Sequence, residues 1–146
     1  ALDLRYAYVL LGRDVRKRRP EDAERLGPKK VQRILELRCL HQSNEQPFCL
    51  EERLISLDAV PEAGNEPFDE TAPGPWLIGR VPWSSAEHRI SAAAASPEAA
   101  QALAMEEGAP CLVIERRTWS ADLPVTYARF TYAAESHSLV ARFQPA

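Results

Sequence analysis

No apolar stretch in this sequence approaches the roughly 20 consecutive residues that a membrane-spanning helix needs, and its first residues lack the pattern of a secretion signal. A cytoplasmic protein with no membrane contact is expected. Glycine is scarce, with six scattered residues, so no glycine-rich loop cradles a phosphate and no cofactor is implied. An excess of positive charge is missing too. The formal net charge is −3, which argues against a domain that binds nucleic acid in its own right. The one basic run, GRDVRKRRP, reads as a solvated strand end. Cysteine is limited to Cys39, Cys49 and Cys111. An odd number without framework spacing points to reduced thiols, not to a disulfide scaffold. Cys39, His41 and Cys49 lack the paired spacing of a structural zinc site, so buried small hydrophobes are the expectation and no metal is assigned. No serine lies in a nucleophile elbow, and His88 and His137 read as solvent-facing. A catalytic residue is not assigned.

What the sequence does contain is one domain's worth of chain. Its 146 residues are 45% apolar and 27% charged, enough to bury a core. The chain opens directly in a strand-like segment, RYAYVLLG, and is expected to be one part of a longer protein. It also repeats itself. RPEDAERLG…VQRILELRCLHQSNEQPFCLEERL and SPEAAQALAMEEG…CLVIERRTWSADLPVTYARF share a plan: Pro-Glu at a helix start, a short helix, a strand, a polar turn, a proline (Pro47, Pro124) and a second strand. With RYAYVLLGRDV and EHRISAAAA as first strands, two β-α-β-β halves result, and SLVARF is expected to add a closing strand. The fold class is α+β, an antiparallel sheet with helices on one side. Between the halves, SLDAVPEAGNEPFDETAPGPWLIGRVPW is proline-rich and ends in Phe68, Trp76 and Trp83. That composition predicts a packed lid, with a cavity where the halves meet beneath it. In SSAEH, Ser84 and Glu87 form either a capping box or a turn into the next strand.

Alternation in the first hairpin places Cys39 and His41 on one face of their strand, and Cys49, Glu51, Arg53 and Ile55 on one face of the next. If the two faces coincide, a base, an acid and a cation converge. Such a set suits a small amphoteric ligand, whose carboxylate takes two hydrogen bonds from a guanidinium while a ring N–H donates to Glu51. An ion-paired strand surface is the plainer alternative. In the second half Thr126, Ala128, Phe130 and Tyr132 share a face, and the repeat sets Thr118 at the place of His41 and Arg116 at that of Cys39. Parity alone does not decide which face points inward.

LELRCLHQSNEQPFCLEERLI, AEHRISA, APCLVIERRTWSADLPVTYARFTY and LVARF, in this order, resemble the UTRA effector-binding domain of GntR-type transcription regulators, and within it the HutC branch of histidine-utilisation repressors. The likeness runs from about Arg5 to Phe143, so residues 1–146 are read as one ligand-sensing domain. The resemblance implies a chorismate-lyase-like fold with internal duplication. It also implies a homodimer, and an N-terminal winged helix-turn-helix, absent from this chain, through which operator DNA is bound. In sugar-phosphate-sensing relatives two arginines stand where this sequence has Cys39 and His41. Their loss removes a phosphate clamp and fits a planar imidazole carboxylate, urocanate, as effector. The resemblance carries the ligand-contacting acid onto Glu51, later contacts onto Thr126 and Tyr132, and a loop contact onto the segment from Pro73 to Trp76. Arg53 and Arg116 join the candidate site from parity and repeat position. An enzyme of chorismate-lyase type is the alternative, because fold does not fix function.

Overall fold

The computed structural model describes residues 5–28 and 31–145. The elements run β1 (Tyr6–Lys17), α1 (Asp22–Leu26), β2 (Arg33–Ser43), β3 (Gln46–Ser56), α2 (Pro73–Leu77), β4 (Ser85–Ala94), α3 (Pro97–Leu103), β5 (Pro110–Ser120) and β6 (Leu123–Ala133). One antiparallel sheet has the order β1-β2-β3-β6-β5-β4, so the duplicated halves meet along β3 and β6 at its centre. Among the described residues no helix is long and apolar enough to cross a membrane.

The register shows why the two hairpins look alike in sequence. His41 faces Cys49 and Thr118 faces Thr126, and immediately beyond each pair the register slips by one residue, setting Gln42 against Pro47 and Trp119 against Pro124. A proline has no N–H to give to a ladder and is tolerated at such a bulge. The first hairpin then turns through Asn44 and Glu45, both with positive φ, as a tight two-residue turn demands.

The two faces of the sheet are covered differently. On one face α1 and α3 pack at either side. The Ser96 hydroxyl caps α3 by accepting from the Ala99 N–H, with Pro97 in its first turn. Ala99 and Leu103 then bury against Leu40 and Leu50. α1 is held by charge. Asp22 is fully buried and accepts from both Arg16 terminal nitrogens at 2.8 and 3.0 Å and from the Arg19 N–H at 2.7 Å. Part of the basic run is therefore structural: Arg16 also reaches Glu36, and Arg13 donates to the carbonyls of Gly64 and Glu66. Between the helices lies an open groove of about 810 Å³, whose floor includes Arg38, Glu52, Arg129, Glu115 and Arg89. These five are successive cross-strand neighbours, a row of alternating sign.

On the opposite face the connection from β3 to β4 forms the expected lid, so helical structure is not confined to one side. A 3-10 turn (Pro61–Asn65) and α2 bring Val60, Ala63, Phe68 and Trp76 down on Leu35, Leu37, Cys39 and Ile55. Phe68 meets Trp76 edge-on at 5.2 Å. The Tyr8 hydroxyl donates to the Phe68 carbonyl at 2.7 Å, fastening the lid to β1. Trp83, expected in that packing, is instead 57% exposed. The SSAEH segment is a turn into a strand: Ser84 donates to the carbonyls of Trp119 and Ala121, and β4 starts at Ser85.

SLVARF does not form the closing strand. Residues 137–145 are irregular, with Leu139, Val140 and Phe143 exposed. The segment pairs with neither outer edge of the sheet, β1 or β4, among the described residues.

Removing the buried partner of Arg16 tests the α1 anchorage. Asp22→Ala is expected to cost about 1–3 kcal/mol in urea unfolding, because the Arg19 N–H and the terminal nitrogens of Arg16 lose their buried acceptor while Glu36 remains on Arg16 Nε. A loss below about 1 kcal/mol would place the pair with ordinary surface ion pairs.

Candidate functional site

The lid-side face of β2 and β3 carries a continuous polar chain. His41 Nδ1 lies 2.5 Å from the Tyr6 hydroxyl, and His41 Nε2 lies 2.8 Å from Glu51 Oε1. The Arg53 Nε–H donates to Glu51 Oε2 at 2.6 Å. A carboxylate only accepts, so in the neutral ring Nε2 carries the hydrogen and Nδ1 accepts from Tyr6. Glu51 is 2% exposed. Burial alone pushes its carboxyl up, but the Arg53 charge and the hydrogen bonds from His41 and Arg53 outweigh it and hold the group below the usual carboxylate range. Beside this chain Cys39 and Cys49 are free thiols, pushed up to about 12 by burial. They are not nucleophiles at neutral pH.

Arg53 spends its Nε on Glu51 and points its other end at the lid, where a Cβ on Gly74 would stand 3.8 Å from Nη2. There, between α2 and the seam of the two halves, lies a cavity of about 100 Å³. Its polar wall is Arg53, Arg116, Thr118 and Thr126, and Leu77 and Val81 add apolar surface from the lid side. The Thr118 and Thr126 hydroxyls are 2.8 Å apart. Arg116 Nε is buried and has no hydrogen-bond partner among the described residues. A buried donor left without a partner is costly, and water or a ligand reaching it would relieve the cost. Two guanidinium groups and a hydroxyl pair face this space, while the one carboxylate nearby already holds two partners.

Of the residues expected from sequence, Arg53, Arg116 and Thr126 line this cavity together. His41 and Glu51 do converge, but on each other, one step behind Arg53. Trp76 is buried within the lid, edge-on to Phe68 and with the Arg80 guanidinium 4.6 Å over its ring. Tyr132 sits at the far end of β6, stacked on His137 at 3.9 Å, with its hydroxyl on the Cys49 thiol. The expected set also lacked Tyr6, Gly74 and the lid residues Leu77 and Val81. Tyr6 had a signal, since the tyrosines of RYAY alternate toward His41 once β1 pairs with β2; Gly74 had none.

The sequence matches the UTRA domain family over residues 1–138. It is 33% identical over 135 residues to the histidine utilization repressor of Pseudomonas aeruginosa, covering 92% of this chain and 53% of that protein. It is 34% identical over 123 residues to the histidine utilization repressor of Pseudomonas putida, covering 84% of this chain and 50% of that one. The chain thus spans about half the length of the curated relatives it matches. Among solved structures, the C-terminal domain of the histidine utilization repressor from Pseudomonas syringae pv. tomato superposes with a TM-score of 0.88 at 28% identity, over 97% of this chain and all of that one. The effector domain of PhnF from Mycobacterium smegmatis, at 15% identity and TM-score 0.84, shares the fold.

The shared carboxylate gives a signed expectation. Glu51 has a lowered value in the folded state, so its stabilisation is present above the unfolded value of about 4.3 and is lost as pH falls through the folded one. Glu51→Gln should cost about 3–5 kcal/mol at pH 7, since Arg53 is left buried without a counter-charge. In denaturation curves the gap from wild type should shrink below about pH 4. A gap that stays constant on acidification would show that the carboxylate charge is not what stabilises the site.

Proposed function

The chain belongs to the UTRA domain family, and on that premise we propose that it is the effector-binding domain of a GntR-type repressor of the HutC branch, with urocanate or a related histidine catabolite as its ligand. The observation that carries the reading is the unpaired, buried Arg116 Nε beside Arg53 and the Thr118–Thr126 hydroxyl pair. A carboxylate placed there accepts from both guanidinium groups and a hydroxyl. The planar remainder lies under Leu77 and Val81. His41 and Glu51 set the orientation of Arg53. Trp76 holds α2 in place, and Tyr132 lies outside this contact set.

The relatives' names support a regulator over an enzyme. The cavity supports it as well, because its ionisable lining groups are arginines, which do not exchange protons at ordinary pH. The mechanism is linkage. The ligand joins α2 to both halves of the sheet, and whichever arrangement of an attached winged-helix domain binds ligand more tightly gains population. An inducer prefers the arrangement that does not fit the operator, with a coupling of about 1–3 kcal/mol. A cytoplasmic location and contact with DNA through that other domain belong to the same proposal.

Calorimetry with urocanate, histidine and a sugar phosphate tests the ligand. Urocanate should bind, and Arg116→Met should weaken it by about 10- to 150-fold, the loss of a charged hydrogen bond. His41→Gln, which keeps a donor, should weaken it less than His41→Ala. Undiminished urocanate affinity in Arg116→Met, or preference for the sugar phosphate, would overturn the assignment.

A further inference from the structure

The apolar roof of the cavity between α2 and the seam is unevenly covered. Leu77 and Val81 pack against the core beneath the lid, whereas Ile78 and Trp83 line the same cavity and are 78% and 57% exposed. Single exposed apolar residues are ordinary on a protein surface. Two large ones at the mouth of one cavity are not, and pockets for small molecules are walled by such groups. The backbone beside Trp83 is fixed. Ser84 donates its N–H to the Trp119 carbonyl at 2.8 Å, and its hydroxyl reaches the carbonyls of Trp119 and Ala121. Upstream, Arg80 donates to the Trp76 carbonyl at 2.9 Å and lies over the Trp76 ring. An indole on a fixed backbone has only its own two side-chain torsions to order, so it offers a large contact area at low entropic cost.

We infer that Trp83 determines specificity at this cavity, its indole face stacking on the flat, conjugated part of an aryl-acrylate type of carboxylate. Volume decides what reaches it. A cavity of about 100 Å³ has room for about three waters at roughly 30 Å³ each. A carboxylate and the two carbons beside it take up that space. Arg53 and Arg116 both flank Ala128 in the ladder, so their guanidinium groups hold the carboxylate at the sheet. A ring carried on those two carbons therefore leaves the cavity at its mouth, where Ile78 and Trp83 stand. Offset stacking of a flat ring on an indole is favourable beyond the area that it buries. The exposure of Trp83, at odds with the packed lid around Phe68 and Trp76, thus has a use. The inference rests on the reading of the arginine pair as a carboxylate site. It does not rest on the imidazole of urocanate, because an indole face accepts any flat ring.

The test is calorimetry of this chain with urocanate and with cinnamate, a phenyl acrylate that lacks the imidazole. Both should bind the wild type. Trp83→Ala should weaken each by about 5- to 20-fold, and Trp83→Phe, which keeps a ring face, by less than about threefold. Acrylamide quenching of tryptophan fluorescence should fall when ligand is added to the wild type and stay unchanged in Trp83→Phe. Undiminished affinity for both ligands in Trp83→Ala would overturn the inference and leave the carboxylate site standing. Binding of cinnamate but not of urocanate, with the same loss in Trp83→Ala, would support it and remove urocanate as the effector. Failure of the wild type to bind either ligand would overturn it together with the carboxylate site.

Discussion

One buried carboxylate organises the site. Glu51 is shared between an imidazole and a guanidinium, and each of its oxygens is committed. A charge at this depth is tolerated only with that degree of satisfaction. The arrangement fixes the tautomer of His41 and leaves Arg53 with its terminal nitrogens directed at the lid. Arg116 supplies the second cation from the other half, with no carboxylate paired to it among the described residues. The two arginines differ: Arg53 is ion-paired within the scaffold, and Arg116 keeps a buried Nε–H without a partner among the described residues.

Duplication supplies the geometry. The bulges after His41 and Thr118 twist both hairpins at the same point, and antiparallel pairing of β3 with β6 brings Arg53 and Thr126 to the seam. The halves have diverged in their coverings and in their chemistry. The first half buries a charge relay beneath a lid. The second half presents hydroxyls, an unmatched guanidinium and an apolar expanse.

Much of this was legible because it depends on period and punctuation. Alternation placed Glu51 with Arg53 and Thr126 with Tyr132, the paired prolines exposed the repeat, and Phe68 and Trp76 announced a packed lid. Alternation assigns a face but not a partner. His41 and Glu51 were therefore expected to turn toward a ligand, whereas the shortest way to neutralise the acid was to turn them toward each other. Tyr132 shares the face of Thr126 yet lies three pairs of residues along the strand, too far to reach the same cavity. SLVARF has the pattern of a strand but pairs with neither outer edge of the sheet. Pairing is a property of two segments, and only one of them was in view.

The bond from Tyr8 to the backbone of Phe68 changes the polymer physics of the long connection between the halves. Pinned near its middle, it behaves as two separate arcs, residues 57–67 and 69–84, each with a smaller closure entropy than the whole. Arg13 stitches the first arc to β1 through the carbonyls of Gly64 and Glu66. The second arc carries α2 and is held differently, by the buried Trp76 at its middle and by Ser84 on the carbonyls of Trp119 and Ala121 at its end.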